Sequence, residues 1–160
     1  MNIYIRQVQE DDSSSFYCDK KYQHLVNFFN KKSYRWQKLC FGRTLVGIEK
    51  KSNRIVSFVT ISISSIESEN IPDIGEKMDC PVLLIGKLLV DEQFQKSGIG
   101  KTMVAATVGI AKKLNELSAC RFVMVHSHPE AVGFYKRIGF KEITGDKKHV
   151  TMVFDLLKSK

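Results

Sequence analysis

The stretch DEQFQKSGIGKT, residues 91–102, decides how this chain is read. Gly100-Lys101-Thr102 has the form of a P-loop tail, and Gly98 with Gly100 starts like a dinucleotide fingerprint. A P-loop is G-x-x-x-x-G-K-[ST], which puts its first glycine at position 95, where the chain has Gln95. The next strand, FVMV, runs into His126 where a metal-holding Asp is expected. A dinucleotide loop puts its third glycine at position 103, which is Met103, and no acid follows about twenty residues later (His126 and Ser127 stand there). Both readings fail, but the physics of the loop survives. A strand ends near Val90, a glycine-bearing loop follows, and a helix starts at once. Backbone N–H groups and the positive helix end then converge on one place, which suits a phosphate or pyrophosphate. Lys96 and Lys101 add charge. A tight strand-to-helix turn that binds nothing remains the alternative on the glycines alone.

Upstream, PVLLIGKLLV (81–90) is a near-continuous apolar run, as in a central strand covered on both faces. Downstream, Met103, Val104, Thr107, Ile110, Ala111 and Leu114 recur at helical spacing, predicting a helix from Gly100 to about Leu117. RFVMVHS (121–127) reads as a strand. PEAVGFYKRI reads as a helix that begins at Pro129 and ends at Gly139. HVTMVFDLL (149–157) reads as a last strand. Nearer the start, residues 2–8 alternate loosely as a first strand would, and DDSSS is a turn or N-cap cluster. Tyr22, Leu25, Val26 and Phe29 predict a helix, and Tyr34, Trp36 and Leu39 a second, short one. TLVGIEK and RIVSFVTISIS are strands joined by a KKSN hairpin turn. SSIESENIPDIGEKMDCP (64–81) is a polar surface loop in a position to flank the site. The order β–α–α–β–β–β–α–β–α–β is a mixed α/β layer fold, expected as one domain over residues 1–160.

Composition narrows the function classes. Cys18, Cys40, Cys80 and Cys120 form no CxxC pair and have no His at zinc spacing, so a structural metal is not expected. They read as core hydrophobes or thiols of a reducing compartment. The N-terminus has no apolar signal core, and no run approaches membrane-spanning length, so a cytoplasmic protein without membrane contact is expected. The net charge of +8 is uneven: Lys20, Lys21, Lys31, Lys32, Arg35, Lys38 and Arg43 occur with no Asp or Glu among residues 20–43. A second group comes late, with Lys136, Arg137, Lys141, Lys147, Lys148, Lys158 and Lys160. These are either a solvated surface or a footprint for a polyanion such as RNA or a phosphate-rich cofactor.

Two motifs in order carry a family resemblance. Gln95-x-x-Gly98-x-Gly100, between strand and helix, resembles motif A of the GNAT superfamily of N-acetyltransferases. Ala131-x-x-Phe134-Tyr135-x-x-x-Gly139-Phe140 is similar to that superfamily's later A-x-x-F-Y-x-x-x-G-F segment. The resemblance implies an acyl-CoA N-acyltransferase fold with a mixed central sheet flanked by helices on both faces. It implies acetyl-CoA as co-substrate, with no metal, and direct attack of a primary amine on the thioester. The pyrophosphate would rest on the backbone of Gln95, Lys96, Ser97, Gly98, Ile99, Gly100 and Lys101. The pantetheine arm would pair with Leu88, Leu89 and Val90, and their N–H groups would polarise the thioester carbonyl. Phe134 would pack into the core or against the cofactor. Tyr135 would be the general acid that protonates the leaving thiolate. His128 stands where the superfamily often has an asparagine that helps hold the cofactor.

No general base stands out. His126 and His128, and Glu67 and Glu69 in the loop after the third strand, are the candidates, set against ordinary structural roles. A lysine amine needs such a base, with a pKa of about 10.4, whereas an α-amine at about 7.7–8 hardly does. The missing base therefore leans towards an α-amine. Phe16-x-Cys18, Leu25-x-x-Phe28-Phe29, Thr44-x-Val46 and LIGKLLVDEQFQKSGIG resemble the GNAT-type toxins of toxin–antitoxin pairs, which acetylate the α-amine of aminoacyl-tRNA and so block translation. Asp19 and Lys96 stand where those toxins have glycine. This resemblance implies tRNA contact through basic residues such as Lys31, Lys32, Arg35 and Lys38, and an antitoxin partner. A homodimer is common in the superfamily. A small amine, a protein amine and a non-catalytic acetyl-CoA-binding module are the alternatives.

Overall fold

A computed structural model describes residues 2–72 and 74–158; Asp73 of the polar loop and Lys160 of the late basic group lie outside the described residues. Ten elements follow one another: β1 (Ile3–Gln7), α1 (Gln23–Lys38), β2 (Arg43–Glu49), β3 (Arg54–Glu67), β4 (Asp79–Val90), α2 (Ile99–Leu117), β5 (Phe122–Ser127), α3 (Val132–Arg137), β6 (Lys141–Gly145) and β7 (Val150–Asp155). The strands form one mixed sheet in the order β1-β2-β3-β4-β5-β7-β6. The chain divides into two compact units, Met1–Ser62 with Gly86–Ala106, and Ile63–Ile85 with Thr107–Lys160. β3, β4 and α2 each contribute residues to both.

In the first unit β1, β2 and β3 form an antiparallel meander, with Ile5 opposite Gly47 and Val46 opposite Phe58. Asn53, at φ 53°, closes the β2–β3 hairpin in the left-handed region that short polar side chains tolerate. α1 buries Leu25, Val26, Phe28 and Phe29 against Val46, Ile48, Phe58 and Leu89. Phe29 stacks on Phe58 with ring centres 4.9 Å apart, and Phe16 meets Phe29 edge-on at 5.5 Å. Successive strand residues face opposite sides, so Gly47 presents the other face. A Cβ there would collide with the Ser57 hydroxyl and lie 3.1 Å from the Met103 sulfur of α2. Glycine at position 47 thus lets α2 approach the face opposite α1.

The two helices expected between residues 22 and 39 are one. α1 runs unbroken through the polar NKKS segment because that segment contains no glycine or proline. Ser33 donates its hydroxyl to the Phe29 carbonyl at 2.6 Å and stays buried.

In the second unit β5 lies between β4, parallel from Val82↔Phe122 to Ile85↔Val125, and β7, antiparallel from Phe122↔Asp155 to Ser127↔Val150. Cys80, Val82, Phe122, Met124 and Val153 form its core with Ile71. Arg121 forks onto Asp155 through Nε and Nη2, each at 3.1 Å, and ties β5 to the end of β7.

Three further readings are corrected. The sequence predicts one strand after Gly139, yet β6 and β7 are both present. β6 is a short edge strand, KEITG, with no buried residue and a register shift between Glu142 and Thr144, so it carries no apolar alternation to recognise. The helix expected to start at Pro129 opens as a 3-10 turn, Pro129–Ala131, and becomes α-helical only from Val132. Glu67 is the last residue of β3 rather than part of a loop, and Glu69 sits in the 3-10 turn Ser68–Asn70 that follows.

Phe29 is 1% exposed and touches rings on two sides. Phe29→Ala is expected to lower the unfolding free energy by about 3–5 kcal/mol, the usual cost of emptying a buried aromatic site. Urea denaturation followed by circular dichroism measures it.

Candidate active site

β4 ends at Val90, and the next residue, Asp91, is fully buried. Its carboxylate accepts from the Tyr17 N–H at 3.1 Å, from the Gln93 N–H at 2.9 Å and from Arg54 Nη2. Its own N–H donates to the Val56 carbonyl at 2.9 Å, and Glu92 N–H donates to Tyr17 O at 2.8 Å. These bonds fold residues 92–94 into a 3-10 turn and lock the start of the loop to β3 and to the segment before α1. Arg54 is held in turn between the Tyr17 and Phe94 rings, 5.5 and 5.9 Å from their centres.

The loop itself is shaped by two left-handed residues, Lys96 at φ 58° and Gly98 at φ 88°. Gln95 Nε2 donates to the Val90 carbonyl at 3.1 Å, and the Ser97 hydroxyl donates to the Phe94 carbonyl. A Cβ built at Gly98 would meet nothing within 4 Å. Glycine is therefore needed there for its dihedral angle, and the space in front of it is open. α2 starts at Ile99, anchored by Thr102, whose N–H and hydroxyl both donate to Gly98 O at 3.0 Å. Among the described residues the N–H groups from Lys96 to Lys101 have no acceptor. Unpaired N–H groups beside the positive end of a 19-residue helix, with two lysines, form an anion cradle.

The expected pantetheine strand, Leu88–Val90, lies past Ile85, where the parallel register of β4 with β5 ends. Leu89 is buried in the core with α1, and Leu88 and Val90 are half-buried. Just before them, the Lys87 ammonium lies 4.3 Å from the Phe28 ring centre and 5.0 Å from that of Trp36. Burial pushes Lys87 below the usual lysine range, and the charge of Lys32 pushes it the same way. Lys31, Lys32, Arg35 and Lys38 are exposed on α1, with Lys38 5.8 Å from the Tyr34 ring.

The remaining candidates belong to the second unit. Tyr135 is 5% exposed, between Phe134 at 5.0 Å and Phe140 at 5.2 Å, both edge-on. Burial pushes its phenol far above the ordinary value. Phe134 is half-buried. α3 stops at Gly139, φ 101°, where a Cβ would come 3.0 Å from the Phe154 ring. Of the base candidates, His126 Nδ1 is 3.0 Å from the Thr151 hydroxyl, His128 packs 5.3 Å from the His149 ring, and Glu69 pairs with Lys77 at 2.9 Å. Glu67 is exposed.

Asp91 with Arg54, and Lys87 with Phe28 and Trp36, were not singled out from the sequence. For Lys87 a signal existed: it is the lone charge in an otherwise apolar strand. Asp91 offered only an acid at a strand end, and its partners are remote in the chain. A cleft of about 880 Å³ also opens in the first unit, but its walls satisfy one another, Arg6 on Asp12 at 2.7 Å and Ser14 on the Ile55 carbonyl at 2.8 Å. Among the described residues no group of His, Cys, Asp or Glu is placed to hold a metal, and no helix is long and apolar enough to cross a membrane.

A family model described as an acetyltransferase (GNAT) domain matches residues 13–153. A tRNA-acetylating toxin of Mycobacterium tuberculosis is 25% identical over 107 residues, which cover 64% of this chain and 64% of that protein. The chain thus spans about 64% of that relative's length. The structure of AtaT complexed with acetyl-methionyl-tRNAfMet superposes with a TM-score of 0.83 at 19% identity, covering 96% of this chain and 95% of that one. A mutant AtaT bound to the C-terminus of the antitoxin AtaR and acetyl-CoA superposes at 0.79 with 18% identity and full coverage of both chains.

Two substitutions test the loop. Lys96→Gly removes a side chain from a left-handed residue and is expected to raise stability by about 0.5–1 kcal/mol in urea melts. Asp91→Ala strands Arg54 and two part-buried N–H groups, and is expected to cost about 3 kcal/mol in the same assay.

Proposed function

Because the chain is a member of the GNAT acetyltransferase family, we propose that it is an acetyl-CoA-dependent N-acetyltransferase whose acceptor is the α-amine of aminoacyl-tRNA. The observation that carries the reading is the run of acceptor-free N–H groups from Lys96 to Lys101 at the start of α2. It is the chemistry a pyrophosphate requires, and it needs no metal to neutralise charge. Bound there, acetyl-CoA supplies an activated acetyl group.

The chain's residues divide the remaining work. Gln95, Lys96, Ser97, Gly98, Ile99, Gly100 and Lys101 hold the pyrophosphate through backbone N–H groups. Leu88, Leu89 and Val90 align the pantetheine arm, and their backbone N–H groups polarise the thioester carbonyl, so negative charge growing on its oxygen is met by fixed dipoles. Phe134 and His128 contribute to holding the cofactor. Tyr135 gives its proton to the departing sulfur, since its burial keeps the hydroxyl in the donor form.

The acceptor reading is supported by charge and by pKa logic. An α-amine with a pKa of about 7.7–8 keeps roughly a tenth or more of its population unprotonated near pH 7, far more than a lysine amine, so its attack leans much less on a dedicated side-chain base. This agrees with base candidates that are engaged with neighbours or exposed. The acid-free basic face of α1, with Lys31, Lys32, Arg35 and Lys38, suits a polyanion. The tRNA-acetylating relative and the tRNA and antitoxin complexes of AtaT point the same way. An antitoxin protein is accordingly proposed as a partner, and the cytoplasm, where charged tRNA is found, as the site of action.

The test is acetyl transfer to aminoacylated and deacylated tRNA. Acetylation of the charged form alone, declining steeply with salt, is expected; efficient, salt-indifferent transfer to free polyamines would sink the reading. Tyr135→Phe is expected to lower kcat by about 10²–10⁴-fold with acetyl-CoA binding unchanged. Unchanged turnover in that variant removes the acid role. The raised phenol pKa also means that activity should show no alkaline loss from Tyr135 below about pH 10.

A further inference from the structure

Lys87 is the one charge in the run PVLLIGKLLV, and its ammonium is pressed against an aromatic pair. Phe28 and Trp36 meet edge-to-face at 5.0 Å. They stand eight residues apart on α1, so Lys32, midway between them, lies on the same stripe. Lys32 is close enough for its charge to disfavour the Lys87 ammonium. Among the described residues neither lysine makes an ion pair. No carboxylate occurs in residues 20–43 to supply one locally.

This arrangement is costly as it stands. A half-buried cation beside a second cation lacks the compensation that burial of charge ordinarily demands. The rings recover part of the cost through cation–π attraction. An anion arriving between the two lysines would recover more, because it would meet both charges in a partly dry setting. Half-buried Trp36 adds a flat surface of the kind on which an unpaired base stacks. A phosphodiester with its base offers both features together. Lys87 also immediately precedes Leu88–Val90, the stretch assigned above to the acetyl-bearing arm.

We propose that Lys87 and Lys32 grip a phosphodiester near the aminoacyl end of the acceptor RNA, with Trp36 as the wall for a neighbouring base. The assignment rests on the aminoacyl-tRNA reading and makes Lys87 an acceptor-binding residue. Lys87 brings charge to the RNA; it does not remove the amine's proton.

The experiment compares wild type, Lys87→Gln, Lys87→Arg and the exposed substitution Lys32→Gln, each checked for folding by circular dichroism. KM for aminoacyl-tRNA is measured across a salt series. Lys87→Gln is expected to raise that KM on the order of tenfold and to flatten the log–log salt slope by about one unit. Its kcat and acetyl-CoA affinity should hold, and Lys87→Arg should restore most of the loss. Lys32→Gln should flatten the slope in the same direction. An unchanged slope and KM in Lys87→Gln overturn the proposal while the acceptor reading stands. Weakened acetyl-CoA binding overturns it in favour of a grip on the cofactor's phosphates. A kcat loss shared by Lys87→Gln and Lys87→Arg overturns it in favour of proton removal. Should wild type fail to acetylate aminoacyl-tRNA at all, the acceptor reading itself is wrong, and this assignment falls with it.

Discussion

The buried carboxylate of Asp91 is the constraint on which the loop depends. It is shut away from water, and it satisfies the Tyr17 N–H, the Gln93 N–H and the Arg54 guanidinium together. Each donor comes from a different part of the first unit: the segment before α1, the loop itself, and β3. A burial that would be prohibitive for a lone charge becomes a fastening once three donors, one of them a guanidinium, meet it. The 3-10 turn that follows fixes where the chain enters its left-handed residues, and hence where α2 begins. A cradle made of backbone N–H groups works only if the backbone is held, because no side chain can correct its aim.

The second consequence is a separation of tasks by chemistry. In the proposed mechanism phosphate recognition falls to main chain, which cannot be protonated or deprotonated in the working range. Recognition of the acceptor is proposed for lysines on α1 and β4, which are long and tunable by their surroundings. Proton donation is proposed for a phenol that lies against two rings. Each task uses the group whose weakness matters least for it. Burial acts in the same sense on Lys87 and Tyr135, favouring the neutral form of each, which lowers the pKa of the ammonium and raises that of the phenol.

Much of this was legible in the sequence because it is local. Gln95, Gly98 and Gly100 announce a turn between a strand and a helix, and Gly98 does occupy a left-handed conformation. Phe134, Tyr135 and Gly139 stand at spacings that a short helix and its stop require, and α3 does stop there. The apolar run of β4 is the fourth of seven strands, as its composition suggested. What escaped has a physical reason in each case. β6 is an exposed edge whose residues have no buried face to alternate with. α1 reads as two helices because Asn30, Lys31 and Lys32 face solvent together at a point where nothing in the backbone breaks. The Arg54–Asp91 pair and the Lys87 cage are tertiary: their members are far apart in the chain, and no periodicity links them. Lys96 was visible only as a substitution for glycine; its φ of 58° gives that substitution a conformational cost.

α1 illustrates a further consequence. Lys31 and Arg35 stand one turn apart, as do Arg35 and Lys38, and no acid relieves them. Such a helix opposes its own charge and owes its existence to the apolar residues beneath it. Dissolved salt screens that self-repulsion and so steadies the helix. The same salt competes with any polyanion laid along it. Fold and grip therefore respond to ionic strength in opposite directions: the ionic conditions that best preserve this surface are those in which it holds least.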